Sequence, residues 1–410
     1  MNKYKTDAIE DTILPQRSLS AVMTAQFLSA LADNALLFVA IALMRTQHRP
    51  EDWIPLLQIS FVLVFVVVSP YVGHIADSWP KSHVMMIANL LKLLGAGCLL
   101  LGGNPLVSYA VVGLGAALYS PAKYGILCEL VAPEYLVKAN SLMEGSTIVA
   151  ILTGVAGGGW VVDHSVPLAF TLVLGCYIAA FAVNFAIPVI PAPHARARLH
   201  AWDLLKQFLV LGRTLIGDAD ARFSLVATSI FWGIGATLRI LLVSWVPFAL
   251  GIMDNQTPAG LNALVAVGVA IGASLASVFI HLKTVNRSML PGLLLGPLVM
   301  GAVLSHSLGA VSFYVVLIGL CGGAFVVPLN ALLQFRGQHS IGSGNTVAVQ
   351  NLFENLAMLV MLGVYTAAVD EGVTPVGTGL GLGVFILLSL AFLAWLRYRD
   401  VEAAHNHGRL

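Results

Sequence analysis

Charge is what this sequence has least of. Only 10% of its residues are Asp, Glu, Lys or Arg, against about 25% in an ordinary soluble domain. Its 58% of hydrophobic residues is more than a soluble core of this length can hide, which excludes a water-soluble globule. Cysteine is also scarce. Cys98, Cys128, Cys176 and Cys321 each fall inside an apolar stretch, and none makes a C-x-x-C or Cys/His spacing. No disulfide framework and no metal site is expected, and the four read as small core hydrophobes. With a net charge of +1 and no long basic run, nothing points to a nucleic-acid partner. Catalytic patterns are missing too. There is no H-E-x-x-H spacing and no glycine loop followed by G-K-[ST]. His48 and Asp52 have an acyltransferase-like spacing, but they sit in a short turn with no glycine-rich companion. Neither a cofactor nor an enzymatic activity is expected.

What is present is apolar length. A membrane-crossing helix needs roughly 20 mostly apolar residues. Twelve such stretches fill the chain, at 18–44, 53–76, 83–102, 106–131, 140–162 and 166–189, then 223–250, 259–282, 288–305, 310–334, 345–369 and 375–396. The expected fold is therefore an all-α membrane protein of twelve transmembrane helices in two six-helix repeats. The expected organisation is an N-terminal half over 1–190, a linker over 191–222 and a C-terminal half over 223–410. Met1 to Gln16 is polar, and no small-residue cleavage site follows the first apolar run. The first span is thus expected to remain as an anchor.

Lys and Arg set the expected orientation. With both termini in the cytoplasm, only Arg45 and Arg49 of the 21 Lys and Arg fall outside, while Lys92, Lys123 and Arg239 fall within spans. The linker reads Trp202, Leu204, Leu205, Phe208, Leu209, Leu211 and Leu215, with Asp203, Lys206 and Arg213 between. That spacing predicts an amphipathic helix along the cytoplasmic surface, with a solvated linker as the plainer reading.

The halves repeat. Gly115 to Pro121 in the fourth span matches Gly322 to Pro328 in the tenth, ahead of Lys123 and Asn330. Asn140 and Asn345 open the spans that follow. Parallel six-helix repeats mark the major facilitator architecture, in which substrate binds near the midplane. The loop Gly73-His-Ile-Ala-Asp77-Ser-Trp-Pro-Lys81 resembles the G-x-L-A-D-R-x-G-R-R loop of major facilitator proteins, with Ser78 in place of the first arginine. Gly73, Asp77 and Lys81 are the expected cytoplasmic gate; the plainer reading is a charged turn.

A charged side chain at a span centre costs ~2.5–3.5 kcal/mol on insertion scales, so such residues face a cavity or a partner. Asp33 and Asn34 lie mid-way along the first span and Arg239 along the seventh, at nearly equivalent places in the repeat. Asp33 and Arg239 either pair across the halves, meet a zwitterionic head group, or form an ion pair that only holds helices together. Lys123, one turn from Tyr119, offers a second cation for a phosphate or snorkels towards an interface. Lys92 packs, pairs with a carboxylate or functions directly. Glu144 and Glu354, the latter beside Asn355, occupy equivalent places in the repeat and read equally as proton carriers or gate residues; Glu129 reads as an end cap. The candidate substrate contacts are Asp33, Asn34, Tyr119, Lys123, Glu144, Arg239, Asn330, Glu354 and Asn355. The runs around Gly154–Gly159 and Gly377–Gly383 read as helix-packing faces.

Long motifs then carry a resemblance. Ala25-Gln26-Phe27-Leu28-Ser29-Ala30 leads to Asp33-Asn34-Ala35-Leu36-Leu37-Phe38. Tyr119-Ser120-Pro121-Ala122-Lys123-Tyr124-Gly125, Phe231-Trp232-Gly233, Thr237-Leu238-Arg239 and Val326-Val327-Pro328-Leu329-Asn330 follow. Over nearly its whole length the chain resembles the bacterial lysophospholipid transporters of the major facilitator superfamily. The resemblance implies a flippase of the Gram-negative inner membrane. Such a flippase takes lysophosphatidylethanolamine, lysophosphatidylglycerol and lyso-cardiolipin from the outer to the inner leaflet. A cytoplasmic acyltransferase/acyl-carrier-protein synthetase then reacylates them. It also implies that Asp33, Lys123 and Arg239 fall on the family's polar cavity positions. The competing readings are a proton-coupled drug or metabolite exporter of the same fold, a lysolipid-modifying enzyme, and a receptor that binds without transport.

Overall fold

The computed structural model describes residues 4–46, 53–192, 200–253 and 256–406. His48, Arg49 and Asp52, used in the sequence readings, lie outside the described residues, as do Lys3, Arg196, Arg198 and Arg409 of the basic residues counted there. Within them the chain is helical, with no strand. The first six helices are α1 (Tyr4–Thr46), α2 (Trp53–Ser78), α3 (Lys81–Leu100), α4 (Pro105–Leu130), α5 (Leu136–His164) and α6 (Val166–Val183). After the linker come α7 (Ala201–Gly217), α8 (Ala219–Trp245), α9 (Gln256–Phe279), α10 (Met289–Val303), α11 (Leu308–Ser340), α12 (Ser343–Asp370) and α13 (Pro375–Asn406).

Local chemistry explains several boundaries. Asn104 caps α4 by accepting from the Leu106 and Val107 N–H groups, with Pro105 opening the helix, a position where proline's missing N–H costs nothing. Ser165 caps α6 through the Leu168 N–H, and Asp218 caps α8 through the Ala221 N–H. Beyond Trp245 the α8 path passes through a π-helical turn, Val246–Leu250, and stops at Gly251, whose φ of 67° suits glycine.

Eleven described helices are long and apolar enough to cross a membrane. The remaining expected span, the ninth, 288–305, forms only the 15-residue α10, preceded by a 3-10 segment Leu282–Ser288. At 1.5 Å per residue it is about 22 Å long, shorter than a hydrocarbon core. The reason is at its ends: Ser288 already belongs to the 3-10 turn, and the chain turns after Leu304. Large apolar side chains such as Val67, Leu290, Phe313, Val360 and Leu388 are exposed along the spans, as lipid-facing residues must be. Cys321 is buried as expected of a core hydrophobe, whereas Cys98 is exposed on α3; all four cysteines are free.

The chain divides into two compact units. One holds Met1–Pro133, Ser146–Gly212 and Gly337–Asn351; the other holds Glu134–Gly145, Arg213–Arg336 and Leu352–Leu410. The first unit is cored by Leu36, Val39, Met44, Leu57, Leu99 and Phe170. The second is cored by Trp245, Leu295, Val315, Phe325 and Ile386, with the Trp245 indole N–H donating to the Val303 carbonyl at 3.0 Å. The linker helix expected from sequence is α7. Its Phe208 and Leu215 are buried, while Trp202, Lys206, Leu209, Val210 and Arg213 are exposed.

Candidate functional site

In the first unit, a charge about two-thirds of the way along α1 meets a charge from α3. Lys92 Nζ lies 2.7 Å from Asp33 Oδ2 and donates to Ser29 Oγ at 2.9 Å. The Ser29 hydroxyl passes the chain on to Asn89 Oδ1 at 2.8 Å. From α6, the Tyr177 hydroxyl donates to Asp33 Oδ1 at 2.8 Å. From α4, the Tyr119 ring lies 4.9 Å from Lys92 Nζ, an arrangement in which the ring face stabilises a cation. The Lys92 side chain is 2% exposed and that of Asp33 is 21% exposed. Two ions can sit in an apolar helix bundle because each is both paired and hydrogen-bonded. Local sequence makes the room: at Gly115, the repeat's glycine, a Cβ would run into the Ala88 carbonyl and the Lys92 stem.

A second grouping gathers Gly73, Asp77 and Lys81 around the start of α12. Asp77 Oδ1 accepts from the Gly344 N–H at 2.7 Å. Asp77 Oδ2 accepts from the Asn345 N–H and the Asn345 side-chain amide, both at 2.9 Å. Lys81, 1% exposed, reaches Glu129 at 2.5 Å and Asp77 at 3.8 Å. A Cβ on Gly73 would overlap the Asn345 Cα and the Ala348 side chain, so α2 and α12 touch there. Glu129, read from sequence as an end cap, is instead the close partner of Lys81.

The remaining candidates spread out. Asn34 donates to its own helix at the Ala30 carbonyl, 2.8 Å away. Lys123 is half-buried with its ammonium 4.6 Å from the Tyr124 ring centroid. Glu144, Asn330 and Glu354 are buried, and Asn355 is half-buried. Arg239 is exposed about three-quarters of the way along α8. The structure thus brings Asp33 and Tyr119 into one cluster and the three gate residues into another. The partner it supplies for Asp33 is Lys92, where the sequence also offered Arg239.

Other polar contacts had no clear signal in the sequence. Asn140 and Gln334 exchange two amide hydrogen bonds, at 2.9 and 3.0 Å, between the starts and ends of α5 and α11, and Ser141 donates to the Ala273 carbonyl. Arg336 pairs with Asp218 at 2.9 Å and Asp220 at 3.1 Å, while Arg397 pairs with Asp220 and stacks on Phe223. Arg336 and Arg397 register in the sequence only as loop cations.

Comparison with known proteins bears on what such a site serves. The model of the Major Facilitator Superfamily matches residues 22–362. The chain is 48% identical over 396 residues to the lysophospholipid transporter LplT of Enterobacter sp. (strain 638), covering 96% of this chain and all of that one. It is 50% identical to LplT of Klebsiella pneumoniae (strain 342), covering 93% of this chain and 96% of that one. Among solved structures it is similar to the human organic anion transporter MFSD10 (TETRAN), with a TM-score of 0.74 at 17% identity, over 92% of this chain and 99% of that one. A bacterial homologue of the iron transporter ferroportin, in an outward-facing state, gives 0.68 at 15% identity, over 93% and 98%. At such identities the solved structures speak for the fold alone.

Proposed function

We propose that this chain, which belongs to the Major Facilitator Superfamily and within it to the lysophospholipid transporters, moves lysophospholipids from the outer to the inner leaflet of the bacterial inner membrane. Relatives that share half its residues over nearly their whole length carry that name. The structural observation that supports the reading is Asp33. It is a carboxylate in the middle of an apolar span, held by Lys92 and Tyr177 yet still open over a fifth of its surface. Hydrocarbon alone gives no reason to keep such a group. A polar head that must cross the bilayer does.

A lysolipid asks for two environments. Its head group needs ions and donors near the midplane; its single tail needs apolar walls. Asp33 suits an ammonium, while Lys123 and Arg239 suit a phosphate, the lysine as a point charge and the arginine as a planar fork. Arg239 is exposed on its helix, as a residue that meets a ligand must be. Tyr119, Asn34, Asn330, Glu144, Glu354 and Asn355 complete the proposed contact set. The movement is alternating access, with the two six-helix repeats rocking about the site. Gly73, Asp77 and Lys81 act as the cytoplasmic gate, since Asp77 ties the α2–α3 corner to the start of α12. Both termini face the cytoplasm, following the bias of Lys and Arg. The delivered lysolipid is then a substrate for reacylation by a cytoplasmic acyltransferase/acyl-carrier-protein synthetase.

The test is uptake by proteoliposomes of labelled lysophosphatidylethanolamine against its two-chain parent, with and without a pH gradient. The lysolipid is expected to cross at a protein-dependent rate and the two-chain lipid far more slowly. Absence of lysolipid movement, with flux of other solutes strictly tied to the gradient, would replace this reading with a proton-coupled exporter.

A further inference from the structure

Building on the lysolipid reading, we propose that Lys92 is the positioning residue that sets which head-group charge the site admits. It does so by cancelling the charge of Asp33 from behind. The geometry separates the two roles. Asp33 is the accessible member of the pair and Lys92 the hidden one, at 21% and 2% side-chain exposure. The lysine ammonium has three N–H donors, and its surroundings take them up: Asp33 Oδ2 at 2.7 Å, Ser29 Oγ at 2.9 Å and the Tyr119 ring at 4.9 Å. Its stem lies against Gly115, where a Cβ would displace it. Lys92 is thus fixed and shielded, and a phosphate has no route to it. Asp33 keeps open lone pairs, because Tyr177 and Lys92 each take one direction on one oxygen.

The consequence is electrostatic. In a medium of low dielectric, one uncancelled charge near a binding site discriminates strongly between ligands that differ by one charge. With Lys92 present, the Asp33 group is a neutral dipole with its negative end outward. An ammonium seats on that end, and an anionic head group meets no net repulsion. With Lys92 neutralised, Asp33 presents a full negative charge. A zwitterionic phosphoethanolamine still answers it with its own ammonium. A phosphoglycerol head, carrying net negative charge, has nothing to answer with. The inverse holds when Asp33 is neutralised and Lys92 kept: the site gains a positive charge and favours the anionic head.

The full-length protein in proteoliposomes is assayed with labelled lysophosphatidylethanolamine and lysophosphatidylglycerol, and the readout is the ratio of the two initial rates. Lys92→Gln is expected to lower the glycerol-to-ethanolamine ratio about tenfold, and Asp33→Asn to raise it. The double variant Asp33→Asn/Lys92→Gln, which buries no unpaired ion, is expected to return the ratio to that of the wild type, whatever its absolute rate. Lys92→Arg keeps the ratio. A purely structural lysine would scale both rates together, so an unchanged ratio in Lys92→Gln overturns the proposal. If Lys92→Gln does not fold, an unchanged ratio in Asp33→Asn does the same. A wild type with no measurable lysophosphatidylglycerol flux also overturns it. A wild type that moves neither lysolipid defeats the transport reading itself, which sets the two failures apart.

Discussion

Asp77 shows how much a single carboxylate does at the end of a helix. The first turn of any α-helix leaves N–H groups without partners, and at α12 two of them, from Gly344 and Asn345, point at the oxygens of Asp77. The positive end of the helix dipole adds to the attraction. Asp77→Asn keeps the shape but loses the charge and one acceptor. It is expected to cost about 1–3 kcal/mol, seen as a lower melting temperature of the purified protein in detergent. An unchanged melting temperature would remove the cap from this account. Arg239 calls for the opposite pattern. Its side chain is exposed, so Arg239→Ala is expected to leave the melting temperature within the small range of surface substitutions. Lysolipid flux should fall about tenfold or more, the equivalent of one charged hydrogen bond, and Arg239→Lys should recover part of it. Loss of stability without loss of flux would assign Arg239 to packing.

At the scale of the element, the glycine runs sort by helical face. Gly154 and Gly158 on α5 lie against Leu31 and Ala35 of α1, whereas the neighbouring Gly157 and Gly159 meet open space. On α13, Gly379 and Gly383 lie against Val303 and Met300 of α10, and Gly381 meets nothing. The tightest approach is between α9 and α11, where a Cβ on Gly272 would strike the backbone of Leu320 and one on Gly323 the backbone of Val269. Backbone cannot yield as a side chain can. Gly272→Val is therefore expected to lose several degrees of melting temperature or fail to fold, in line with overpacking costs of about 1–3 kcal/mol or more. Gly381→Ala should be neutral or slightly stabilising, since helix interiors favour alanine. Equal effects of the two would show that the close approach is not what these glycines serve.

The spans were readable in the sequence because hydrocarbon imposes one length and one composition on every crossing helix. The helix α7 was readable because its apolar residues recur at helical spacing. The partner of Asp33 was not. Composition places Asp33 and Lys92 in spans, but which faces of α1 and α3 meet depends on packing between helices 59 residues apart. The contact of Asp77 with Gly344 joins positions 267 residues apart, and only the loop motif hinted at a latch, without naming what it holds. The shortness of α10 was hidden as well, because hydropathy does not distinguish a helix from the 3-10 turn that precedes it.

At the scale of the whole molecule, the units do not simply follow the order of the chain. Residues 337–351, from the C-terminal half of the sequence, belong to the first unit. There they supply the N–H groups for Asp77, the Asn351 amide that donates to Ser120 at 3.0 Å, and the Gln338 amide that donates to the Cys128 carbonyl. A fragment of residues 1–199 therefore carries six apolar helices that can insert, but it lacks the segment that satisfies Asp77. Losing hydrogen bonds to a charged group costs about 1.5–3 kcal/mol each, which is a large part of the stability of any single domain. Expressed alone, fragment 1–199 is expected to reach the membrane yet aggregate on extraction. Co-expressed with 200–410, it should co-purify with it and recover lysolipid flux, because the missing segment then arrives on a separate chain. A fragment 1–199 that is monodisperse on its own, and as resistant to heat as the intact chain, would mean that the exchanged segment contributes little and that the first six helices are self-sufficient.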